Sequence, residues 1–167
     1  MSIRRFTVER FSVVSSKPFA KVVGAIEAAI GHPEMREFAS KVGSAGSWQE
    51  LETVIHGFLG PSGFMEFTRF NLGQILAKEQ GASAPKIVRL VVGNPLVMKK
   101  MAEHVQDAAS YAPVTILIDE RVDGVHVSYD KMESYLAPYA NLAALKVAHE
   151  LDAKVEAMLT AAAIQAD

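Results

Sequence analysis

The polar side chains able to do chemistry collect on one parity of three short strands. The runs Ile87–Val92 (IVRLVV), Val114–Asp119 (VTILID) and Val125–Tyr129 (VHVSY) are rich in β-branched residues and read as strands. Side chains alternate across a strand, so Val88, Leu90, Val92, Val114, Ile116, Ile118, Val125 and Val127 are expected to face helices. The other parity holds Arg89, Thr115, Asp119, His126 and Ser128, and alternation in Phe64–Phe70 adds Glu66 and Thr68. A guanidinium on a central strand needs a carboxylate, water or a ligand, because an unpaired buried charge is costly. Two chemistries follow. In one, Arg89 pairs with Glu66 or Asp119, or sits in a dimer interface. In the other it holds an anionic or carbonyl-bearing ligand, with His126 and Tyr129 nearby for acid–base work on a small organic substrate.

Other candidate constellations are weaker. Met98, Met101 and His104 follow one another at steps of three, a spacing that suits a soft metal or a haem axial ligand, and equally a core stripe that Ala102 and Val105 complete. The five histidines form no His-x3-His or His-Glu-x2-His spacing, and there is no cysteine, so zinc hydrolase and thiolate chemistry have no support. No cofactor is therefore predicted. Ser128 and His126 lie two apart on a strand without a Gly-x-Ser-x-Gly elbow. Gly93-Asn94-Pro95 has one glycine, and its proline removes a backbone donor; it reads as a helix cap rather than a phosphate turn. Tyr111, Tyr129, Tyr135 and Tyr139 cluster late in the chain, where they can line a cleft or bury their rings.

The elements that must position these residues are legible from pattern. An opening strand runs from Ile3 to Val14, and Ser16 is placed to cap a helix carrying Phe19, Val22, Val23, Ile26 and Ile30. A second helix covers about Pro33 to Val42. Ser47 and Glu50 form a capping box for a third, which Gly60 and Pro61 end. After the strand Phe64–Phe70 comes a short helix near Leu72–Glu79, then the central strand from Lys86. Asn94 and Pro95 start a helix reaching about Asp107, Asp123 and Gly124 supply a hairpin turn, and Ser134–Pro138 reads as irregular. A long helix from Asn141 to about Ala163 closes the chain.

With 167 residues the chain is read as one domain, 1–167. The formal net charge of −2 provides no field to attract nucleic acid, and no window of 18 apolar residues suggests a membrane span. The opening MSIRRFTVERF lacks the apolar core of a signal peptide, so a cytoplasmic location is expected.

The stretch Phe67–Tyr129 resembles the domain of unknown function 302 family in its order of elements and its punctuation. The matching residues are the apolar strand ending in Gly93, Asn94 and Pro95, then Pro113 opening VTILIDE, then the hairpin to Val127, Ser128 and Tyr129. The resemblance implies an α+β fold similar to the TATA-binding-protein type: a curved, mainly antiparallel sheet of about five strands, with helices packed on one face. It implies no assigned biochemical role. An Asp-His pair common in the family after the strand corresponding to Phe64–Phe70 is replaced here by Phe70 and Asn71. Residues 33–60 read as a helical insertion beside the family pattern.

Function is expected to be the non-catalytic binding of a small ligand or a protein partner by a homodimer. The candidate ligand-binding residues are Arg89, His126, Tyr129, Thr115 and Asp119. An enzyme using Arg89 with His126 or Tyr129, and a metal or haem protein using Met98, Met101 and His104, are the alternatives.

Overall fold

The computed structural model describes residues 3–164. Its five strands are β1 (Arg10–Ser15), β2 (Met65–Asn71), β3 (Ile87–Gly93), β4 (Val114–Arg121) and β5 (Gly124–Asp130). They form an open sheet of order β1-β5-β4-β3-β2 in which every pairing is antiparallel. The apolar run from Lys86 accordingly becomes an interior strand. Arg121 pairs with Gly124, so Val122 and Asp123 form a two-residue hairpin loop. Gly124 has φ +137°, and a Cβ there would lie 2.7 Å from the Ser15 carbonyl oxygen. Glycine is the residue that meets both demands.

Helices α1 (Phe19–Ala29), α5 (Pro95–Ala102) and α7 (Leu142–Ile164) bury one face of the sheet. As the alternation predicts, Val88, Leu90, Val92, Ile116, Ile118 and Val127 supply the sheet side of this core. The caps expected at Asn94 and Ser47 form, and Asn141 adds one at the start of α7. Asn94 Oδ1 accepts from the Leu96 amide at 2.8 Å with Pro95 at the first helical position, and Asn141 Oδ1 accepts from the Ala144 amide at 3.0 Å. Ser47 Oγ accepts from Glu50 N at 3.2 Å to open α3 (Trp48–His56), while the Glu50 carboxylate accepts from Gly46 N rather than from Ser47.

Some boundaries differ from the sequence reading. The cap expected at Ser16 does not form: Pro18 stands at the N-cap of α1 without a side-chain bond, and it is Ser15 whose Oγ accepts from Lys17 N and donates to the Ala163 carbonyl. Glu34 caps α2 (Met35–Ser44) through Arg36 N and Glu37 N. Helix α4 spans Gly73–Gln80, and α5 ends at Ala102, with a separate 3-10 turn at Gln106–Ser110. Ser134–Pro138, expected to be irregular, instead falls in α6 (Met132–Leu136) and the 3-10 turn Ala137–Tyr139 that follows it. The first amides of α6 are held by the Asp152 carboxylate from α7, a tertiary cap that local sequence does not announce.

Helices α2 and α3 pack a second cluster in which Phe38, Ile55, Met65 and Leu96 are buried. The segment joins the sheet through a close approach: Gly31 N and Gly60 N both donate to the Phe64 carbonyl, at 2.9 and 2.8 Å. Between Glu66 and Thr68 a bulge interrupts β2, so that Glu66 stands opposite Val92 and Thr68 opposite Val91. One extra residue reverses the parity on its N-terminal side. Glu66 is thereby moved to the helical face, where it accepts from Arg69 at 2.9 Å and lies 3.7 Å from His32. Among the described residues, no helix is long and apolar enough to cross a membrane.

Candidate functional site

The sheet face away from the α1/α5/α7 core carries a row of side chains set by register. Ser12 pairs with Ser128, Ser128 with Leu117, Leu117 with Arg89, and Arg89 with Phe70, one residue from each strand. A cleft of about 650 Å³ opens over one end of this face. Its floor is Arg89, Val91, Thr115, Leu117 and Ser128, and its wall is the chain entering β4 together with α6. That volume lies within the range of small-molecule sites.

Arg89 is exposed. Both carboxylates expected to neutralise it are engaged elsewhere: Asp119 accepts two bonds from Arg121, and Glu66 has crossed to the other face. Among the described residues no carboxylate lies within ion-pair distance of Arg89. The guanidinium sits 5.6 Å from the centre of the Phe70 ring, a cation–π contact that leaves its donors directed to solvent or ligand.

Arg10 and Asp130, cross-strand neighbours on β1 and β5, close the opposite side of the cleft with two bonds of 2.6 and 2.9 Å. The Asp130 bond and charge raise the already high pKa of Arg10. Tyr111 and Tyr135 stack with centroids 4.9 Å apart and planes 14° apart, and both line the cleft. Phe6 packs edge-on against Tyr111 at 5.8 Å, while the Tyr111 and Tyr139 hydroxyls meet at 2.8 Å. Burial, followed by the charge of Asp130, pushes the Tyr135 phenol above its usual range, so it stays neutral.

Of the candidates read from the sequence, Arg89 and Thr115 lie together on the cleft floor. His126 and Asp119 share the open face but pair with each other across β5 and β4, one row beyond the cleft. His126 bonds Asp123 at the hairpin, 2.9 Å away. Two strand spacings and one row separate it from Arg89, roughly 12 Å between Cα atoms from standard sheet dimensions. Tyr129 is a correction. It borders the cleft, but its side chain has the parity of Val127 and is buried on the helical face, at 1% exposure. There its hydroxyl donates to Asp152. Burial and then the Asp152 charge raise the phenol pKa well above its ordinary value, which removes Tyr129 from acid–base work on the open face.

The Met98, Met101 and His104 set does not converge. Met98 and the wholly buried Met101 both border an apolar cavity of about 110 Å³, whereas His104 is exposed beyond the end of α5 and does not line it. Among the described residues no group of three or more His, Asp or Glu side chains could hold a metal ion.

Three contributors escaped sequence reasoning. Arg10 and Asp130 become neighbours only through the β1–β5 register. Asp152 did carry a signal: it lies four residues after Ala148 and three before Val155, on the apolar stripe of α7, whereas Glu150 on the other side of Leu151 is exposed. Such a residue must be satisfied internally.

A family model described as Domain of unknown function DUF302 matches residues 40–162, well over half of the chain. No curated protein matches. Among solved structures, the crystal structure of an uncharacterized conserved protein DUF302 from Bacillus stearothermophilus shares the fold, with a TM-score of 0.63 at 13% identity, covering 93% of this chain and 98% of that one. By the extent of the family match, with the fold in agreement, this chain belongs to the DUF302 family.

Proposed function

We propose that this protein is a non-catalytic binding protein for a small molecule, which it holds in the cleft over the open face of its sheet. The observation that carries this reading is Arg89. A guanidinium centred on a sheet, lining a cleft of about 650 Å³ with no carboxylate in reach among the described residues, is a ready anchor for an anionic or carbonyl group. Thr115 and Ser128 add hydroxyl groups, and Val91 and Leu117 add apolar surface. Pockets that combine an apolar lining with a few converging polar groups are the usual form of a ligand site.

The test is a thermal-shift screen of small carboxylates and neutral carbonyl compounds against the wild-type protein and Arg89→Met. Binding to the folded state stabilises it by about 2.7 kcal/mol at a hundredfold excess over Kd. Compounds that raise Tm in the wild type and lose the effect in Arg89→Met support the reading. Equal shifts in both proteins, or none in either, contradict it.

A second copy of the chain is the partner we propose. Val14 and Phe70, at opposite edges of the open face, are 46% and 43% exposed, and a second copy docked on that face would cover them. Light scattering of the wild type and Phe70→Asp tests this; a monomer at both high and low concentration rejects the dimer.

A further inference from the structure

We infer that the cleft selects a planar monoanion, such as an aromatic carboxylate, over neutral, dianionic and aliphatic ligands. This rests on the reading of the cleft as a ligand site and adds what it would select.

The charge follows from a count of the lining. The charged side chains at the cleft are Arg10, Arg89 and Asp130. Arg10 and Asp130 satisfy one another through two hydrogen bonds, leaving the single positive charge of Arg89. A monoanion neutralises that charge. A dianion leaves one negative charge beside Asp130, and a neutral ligand leaves Arg89 as it is.

The shape follows from the wall. Tyr111 and Tyr135 are stacked at 4.9 Å and Phe6 packs against both, at 5.8 and 6.4 Å, so the stack offers a fixed ring face rather than two free rings. Tyr135 is further fixed because Asp152 holds the first amides of its short helix at 2.8 and 3.0 Å. A flat ring lies against such a surface with full contact, while a flexible chain gives up rotamer freedom to do so. The carboxylate is then directed to Arg89, the planar guanidinium offering two parallel donors.

Calorimetric titration of the full chain separates the elements of this proposal. The probes are 1-naphthoate, the neutral isostere naphthalene-1-methanol, naphthalene-1,4-dicarboxylate and octanoate. We expect 1-naphthoate to bind at least tenfold more tightly than each of the other three. Arg89→Met should erase the preference for acid over alcohol, and Tyr111→Leu the preference for aromatic over aliphatic acid, with circular dichroism confirming that both variants are folded. Equal affinity for acid and alcohol, or for naphthoate and octanoate, overturns the inference, as does a preference that survives in Arg89→Met. If no probe binds but the thermal-shift screen finds another compound whose effect depends on Arg89, this inference fails and the cleft reading stands. If that screen is also silent, both fail.

Discussion

The hydroxyl of Tyr129 on β5 donates to the carboxylate of Asp152 on α7, joining sheet to helix inside the core. Asp152 is 2% exposed and accepts as well from the amides of Met132 and Glu133. Removing the phenol oxygen in Tyr129→Phe should cost about 1.5–3 kcal/mol, the worth of a hydrogen bond to a charged acceptor. Asp152→Ala should cost more, because it leaves one hydroxyl and two amides without their acceptor. Urea denaturation measures both, and an Asp152→Ala variant as stable as the wild type would count against the network.

The same pair gives stability a defined dependence at high pH. Burial and the neighbouring carboxylate raise the Tyr129 pKa above its unfolded value near 10. The folded state therefore keeps its proton where the unfolded chain loses one. This contribution is complete below pH 10 and is lost as pH rises above it, at up to about 1.4 kcal/mol per pH unit. Stability curves between pH 8 and 11.5 should fall less steeply for Tyr129→Phe than for the wild type; parallel curves would refute the assignment.

Gly31 is set by close approach. A Cβ built there would lie 1.9 Å from the Phe58 carbonyl oxygen, so backbone must move. Gly31→Ala should destabilise by about 3 kcal/mol, at the upper end of overpacking costs. Gly43, in α2 with nothing within 4 Å of such an atom, is the control. Gly43→Ala should gain about 0.5–1 kcal/mol. A neutral Gly31→Ala would mean that the turn before β2 is looser than described.

Met101 and His104 answer differently to truncation if Met101 is core. Met101→Ala should cost about 2–5 kcal/mol. The exposed His104 should tolerate alanine within about 0.5 kcal/mol. Titration with haem or copper should then produce the same spectrum for the wild type and His104→Ala, and a band lost in that variant would revive the ligand role.

Much of the architecture is legible in the residue pattern itself. The alternation in Ile87–Val92, Val114–Asp119 and Val125–Tyr129 separates core from open face correctly, and Asn94-Pro95 and Ser47 mark helix starts by capping chemistry that acts within three residues. What the pattern misses depends on longer-range geometry. The bulge at Phe67 carries no sequence mark of its own, yet it turns Glu66 to the helical face, opposite Val92, while Arg89 stands opposite Phe70 further along the strand. The parity of Tyr129 with Val127 places it on the helical face, but nearness in sequence to His126 and Ser128 suggests the wrong one. Arg10 and Asp130 need the β1–β5 register, and the opening strand starts seven residues later than Ile3 because residues 3–9 instead run past α6, where Glu9 bonds Ser134 and Lys131.

The role proposed for the cleft stands or falls with Arg89 as the anchor of a small molecule. Native mass spectrometry of freshly purified wild-type protein and Arg89→Met, each followed by denaturation, puts that role to the test. The expected result is a reproducible extra mass on the wild type that disappears on denaturation and is missing from Arg89→Met, while urea midpoints of the two proteins agree. An extra mass retained in Arg89→Met, or a wild-type protein that carries none and takes up none from cell extract, would contradict it.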